Sequence, residues 1–189
     1  MVQNERTNTV NDPYIIPKPI LGMWNLIGDA GAALLAQDQA DLGPLFANSV
    51  QVGTQSAPRC NVLFLYCALD ASTRVAGQSF SMRDVIKAAR AHIAVLAADI
   101  PTAVLSSREF GQSLSARNDW PANIVITLNR NGEHFGRFFK ELFSQMQAGV
   151  TMPMAWVTLA PQGPVQRKDI PGSICLMEAG HIAFGPKKA

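Results

Sequence analysis

The feature that most constrains this chain is a nine-residue apolar run, Asn61–Leu69 (NVLFLYCAL), which carries valine, phenylalanine and tyrosine and no charge. Such a run offers no polar face to water, so it reads as a central strand covered on both sides, the pattern of a parallel sheet between helical layers. Two further runs, His92–Ala97 (HIAVLA) and Asn123–Leu128 (NIVITL), read the same way. Helical periodicity separates them. Ser81 and Asp84 form a Ser-x-x-Asp start signal for a helix whose Met82, Val85, Ile86 and Ala89 share one face. A second helical stretch is expected over 102–113. Between Glu133 and Ala148, Phe135, Phe138, Phe139, Leu142, Phe143 and Met146 recur at three- and four-residue steps, and Gly149 follows where a left-handed cap is wanted.

Strand-helix units in succession define an α/β class: three layers, with a mostly parallel sheet and helices on both faces. The remaining expectations are a short strand over Met23–Ile27, Asp29 as the N-cap of a helix over 30–39, a second short helix near 42–49 and a strand over Pro153–Leu159. Ser173–Met177 and His181–Phe184 flank Glu178-Ala179-Gly180, a spacing that predicts a C-terminal antiparallel hairpin at the sheet edge. Residues 1–19, with Pro13, Pro17 and Pro19, read as an extended N-terminal arm, and residues 20–189 as a single α/β domain. The arm's Tyr14-Ile15-Ile16 can add to a sheet edge, lie against a partner subunit or pack on its own domain.

With 16 basic and 14 acidic residues, the net charge of +2 provides no field for a nucleic-acid backbone or an anionic membrane. Arg167-Lys168 and Lys187-Lys188 read as solvated loops. The longest apolar runs are strand-sized, short of the roughly 20 residues of a membrane span. The polar first eleven residues carry no secretory signal. Three cysteines without a CxxC spacing argue against a disulfide framework and against a metal site. A cytoplasmic protein with no cofactor and no metal is the expectation.

In open α/β sheets ligands bind beyond the carboxyl ends of the strands. The loops there hold Asp70, Arg74, Ser79 and Ser81, then Asp99, then Asn129, Arg130 and His134, and finally Gln162. Asn129–Phe135 (NRNGEHF) couples a strand end to a helix start, where exposed amides together with Arg130 suit an anion. A ligand site built from Arg74, Asn129, Arg130 and His134 follows, with Asp70, Asp99 or Glu109 available for acid-base work. Gly28-Asp29-Ala30-Gly31 lacks the GxGxxG pattern and reads as a helix start. Cys67 sits inside an apolar strand and reads as structural, while the hairpin would set Cys175 facing His181. No GxSxG or HExxH motif is present.

From Ala88 to Phe110 (AARAHIAVLAADIPTAVLSSREF), the strand-loop-helix order and the position of Glu109 resemble the corresponding stretch of Toll/interleukin-1 receptor domains. In that family a glutamate there can serve NAD cleavage, and the resemblance implies that role for Glu109. The chain has Ala97, Leu105 and Ser106 where the family often has serine, tryptophan and cysteine.

Two readings of function result. One is a non-catalytic binding or scaffold domain that contacts a protein partner or a second copy of itself through the arm, the hairpin or loops at a sheet edge. The other is a small-molecule domain or hydrolase, holding a nucleotide or other anion at the strand ends.

Overall fold

A computed structural model describes residues 12–52, 56–115, 120–160 and 170–185. Its centre is a six-stranded sheet of β2 (Ile20–Asn25), β3 (Asn48–Val52), β4 (Val62–Tyr66), β5 (Ile93–Leu96), β6 (Asn123–Asn129) and β7 (Gly172–Met177), in the order β3-β2-β4-β5-β6-β7. The first five run parallel and β7 runs antiparallel to β6, so the sheet is mostly parallel with an antiparallel edge. Every residue of β4 is buried, as a strand with a neighbour on each edge and a layer on each face requires.

The two faces carry different layers. Leu21, Met23, Val62, Phe64, Tyr66, Val95 and Val125 point to one face, under helices α1 (Asp29–Leu42), α5 (His134–Gln147) and α6 (Met152–Leu159). Leu63, Leu65, Ala94, Leu96, Ile124 and Ile126 point to the other, under α2 (Met82–Ala89), α3 (Thr102–Leu105) and α4 (Arg108–Ser115). The alternation follows from the two-residue period of a strand. On the first face Phe64 meets Phe139 edge-on at 5.4 Å and Phe135 at 6.1 Å between ring centroids, so the periodic phenylalanines of α5 close over the middle of the sheet.

Local signals set the start of α2 and the end of α5. Ser81 caps α2 with a reciprocal box, its hydroxyl accepting from the Asp84 N–H while its own N–H donates to the Asp84 carboxylate. Gly149 after α5 has φ +89°, the left-handed geometry expected there.

Four expectations need correction. Residues 152–159 form helix α6 rather than a strand: Pro153 sits in the first turn, where a missing N–H costs nothing, and Met152 and Ala155 are buried at helical spacing. The short helix near 42–49 is a 3₁₀ turn, Gly43–Leu45, followed by β3, an edge strand polar enough to lack an apolar run. Gly28 rather than Asp29 occupies the N-cap of α1. Finally, β8 (Ile182–Phe184) leaves β7 and pairs in parallel with β1 (Tyr14–Ile16). The buried Asn123 explains the departure: its amide donates to the Gly180 carbonyl at 3.0 Å and its oxygen accepts from Ala179 N–H at 3.0 Å. This pins the turn to the start of β6, and all three residues of β8 are buried. The segment Tyr14–Ile16 therefore lies against its own domain, with Ile16 in the core.

Candidate functional site

Along the chain, the direction of strand addition reverses between β2 and β4, the switch point at which open α/β sheets form crevices. A cleft of about 450 Å³ opens at this end of the sheet, lined by Ile27, Ala30, Leu34, Gln37, Ala98, Asp99, Asn129, Arg130, Asn131 and Gly132. Ala30, Leu34 and Gln37 are spaced four and three residues apart and form one stripe of α1. Across from them stand the residues that follow β5 and β6. Gly31 sets how closely α1 begins: a Cβ there would fall 2.1 Å from Asn25 Oδ1. The Asn25 side chain is itself fixed, since Nδ2 donates to the Gly28 carbonyl at 2.7 Å and Oδ1 accepts from Ile27 N–H at 3.0 Å.

A buried polar network underlies the cleft. Arg130 Nη2 donates to Asp38 Oδ1 at 2.7 Å and Nη1 donates to Asp38 Oδ2 at 3.0 Å. The same Nη1 donates to the Ala97 carbonyl at 2.6 Å, and the Tyr66 hydroxyl donates to Asp38 Oδ2 at 2.7 Å. The guanidinium carbon lies 3.7 Å from the centroid of Phe135, a cation–π contact. Asp38 is fully buried, which pushes its carboxyl up from the usual range while Arg130 and Tyr66 pull against that. The Tyr66 phenol is likewise pushed up, first by burial and then by the adjacent carboxylate.

The loop after β6 aims Arg130 inward. Asn129 Oδ1 accepts from Asn131 N–H at 2.8 Å, Asn131 and Gly132 both take positive φ, and Asp99 Oδ1 accepts the Arg130 N–H at 2.9 Å. Asparagine tolerates this conformation better than most residues. Arg130 is thus a support for the cleft, its charge matched by Asp38.

The structure divides the other candidates. Asp99 and Asn129 line the cleft with Arg130, while His134 is half-buried at the start of α5 with Nδ1 2.6 Å from Arg137 Nη2, outside that lining. Arg74 is exposed in the loop leading to α2. Desolvation raises the carboxyl of Asp70 in that loop, but the hydrogen bonds it accepts from Arg74 N–H, Ser72 hydroxyl and Ser72 N–H together outweigh that and lower it. Glu109 is exposed in the first turn of α4. Neither Asp70, Arg74 nor Glu109 lines the cleft, so the acid-base set and the Arg74-containing ligand set are not brought together. Gln162, Arg167, Lys168, Lys187 and Lys188 lie outside the described residues. Burial pushes the thiols of Cys60, Cys67 and Cys175 up to about 12, leaving them protonated at neutral pH, and the hairpin that would set Cys175 facing His181 is not formed.

Sequence reasoning missed Asp38 and Tyr66. Two signals were there: an aspartate four residues before Leu42 on the apolar stripe of α1, and a phenol at the end of an otherwise apolar strand. Among the described residues no group of three or more His, Cys, Asp or Glu side chains is placed to hold a metal, and no helix is long and apolar enough to cross a membrane. No protein-family model, curated protein or solved structure matches the chain.

Proposed function

We propose that this domain binds a small organic molecule in the cleft at the strand carboxyl ends and does no chemistry on it. One observation carries the reading: the cleft, at about 450 Å³, falls within the usual range for small-molecule sites and stands on a polar network whose charges are already matched. Apolar walls from Ile27, Leu34 and Ala98 alternate with amides of Gln37, Asn129 and Asn131, the mixture that gives a ligand both burial and orientation. Catalysis is disfavoured because, among the described residues, Asp99 is the one carboxylate lining the cleft, and no second carboxylate, histidine or cysteine lines it to share a proton.

Native mass spectrometry of the purified full chain, before and after Ala30→Trp, tests the reading. Ala30 is exposed on α1, so the larger side chain fills the cleft without entering the core. A retained small molecule that the variant loses is the expected result, and a ligand held equally by both proteins overturns it.

A second reading, contact with a protein partner or a second copy, rests on another surface. Met154 and Val157, one turn apart on α6, are 58% and 56% exposed, and β7 ends the sheet with Ile174 45% exposed. Light scattering on Met154→Lys and Ile174→Lys tests it: self-association that both variants abolish supports this surface, and a monomer at every concentration rejects the second copy.

A further inference from the structure

Resting on the cleft reading, we infer that the ligand is an organic amine, its ammonium group held by Asp99. Among the described residues, Asp99 and Arg130 are the charged residues of the lining, and Arg130 is bonded through both terminal nitrogens to the buried Asp38, so one negative charge is left facing the cleft. Asp99 is exposed, and its one hydrogen bond among the described residues uses Oδ1, leaving Oδ2 for a ligand.

The helix ends nearby do not reverse this sign. α1 and α5 both begin beside the cleft, where their dipoles would favour an anion, but Asp29 stands in the first turn of α1 and Glu133 at the N-cap of α5. The neighbouring groove of about 350 Å³, lined by Gln37, Asp41, Glu133, Gly136, Arg137 and Lys140, has two carboxylates against two cations and is balanced. A phosphate in the cleft would face Asp99 with no unmatched cation among the described lining residues. An ammonium would donate a charge-assisted hydrogen bond to Asp99, place its carbon chain along Leu34 and Ala98, and present further polar groups to Gln37 and Asn129.

Calorimetric titration of the full chain with putrescine, agmatine and tyramine, and separately with inorganic phosphate and AMP, tests the inference. At least one amine binds, Asp99→Asn weakens it by about tenfold or more, and affinity falls between about 0.05 and 0.5 M salt. The amide retains Oδ1 for the Arg130 N–H, so an unchanged melting temperature is expected, and the salt series on the unaltered protein reports the charge should the variant fold poorly. Failure of all three amines, or amine binding indifferent to both salt and Asp99→Asn, overturns the amine. Phosphate or AMP binding that Ala30→Trp abolishes overturns the amine but keeps the cleft. Binding that Ala30→Trp leaves intact overturns both.

Discussion

The two faces of the sheet satisfy their polar groups in different ways. On the α2 and α4 side, bonds made within a few residues recur, Asp70 with Ser72 and Arg74, Ser81 with Asp84, Ser107 with Phe110, and the long-range exception is the Arg83–Glu178 ion pair. On the α1 and α5 side, Asp38, Tyr66, Ala97 and Arg130 meet from a helix, two strand ends and a loop spread over 92 residues. Local bonds terminate helices and turns. Long-range bonds fix the spacing between elements, which is what a binding cleft needs, and the cleft lies on that side.

Each face also has an ion pair, and the largest expected effect comes from comparing them. Asp38 is inaccessible while Glu178, held by Arg83 at 2.5 and 2.6 Å, keeps 26% of its side chain in solvent. Asp38→Ala leaves a buried guanidinium with no counter-charge and should cost about 3–5 kcal/mol in urea denaturation. Arg83→Ala leaves a carboxylate that water can reach and should cost about 1–2 kcal/mol. Equal losses would remove the distinction between the faces.

A smaller effect belongs to the cap of α2. Ser81→Ala should cost about 1 kcal/mol. The N–H and hydroxyl of Ser81 hold the Asp84 carboxyl below its usual range. A lowered folded value means that the stabilisation is present above the unfolded value of about 3.9 and disappears as pH falls through the folded one. The stability difference between the native chain and Asp84→Asn should therefore be present at neutral pH and vanish in acid; a difference that survives there contradicts the cap.

His92 probes the amino-terminal end of the strands, where its ring stacks on Tyr14 at 5.1 Å and meets Trp120 at 5.5 Å. Burial lowers its pKa, so folding is favoured above the unfolded value of about 6.5 and loses stability as pH falls below it. His92→Gln should flatten the stability profile through that window. Smallest of all, Arg74→Ala and Glu109→Ala should each stay within about 0.5 kcal/mol, as exposed side chains do. A loss of several kcal/mol at either would mark long-range work on the face assigned to local bonds.

The fold was largely legible because its strongest signals are local: the run at Val62–Tyr66, the phenylalanine stripe of α5 and the Ser81 cap each announce themselves within a few residues. What failed to read depended on distant partners. The apolar segment 152–159 has no period that separates strand from helix, and β8 departs from β7 because Asn123, more than fifty residues earlier, holds the turn. The same limit governed the site. Strand ends are visible in sequence, which places Asp99, Asn129 and Arg130 at one end of the sheet, but the direction of the Arg130 side chain depends on Asp38, 92 residues away.

On this account a ligand sits between α1 and the loops after β5 and β6. The most direct measurement is an amide chemical-shift map of the ¹⁵N-labelled chain titrated with a bound amine. Shifts grouped at Ala30, Leu34, Ala98, Asp99, Asn131 and Gly132 are predicted. Shifts grouped instead at Asp70, Arg74, Ser81 and Glu109 would place the site on the opposite face and contradict the account.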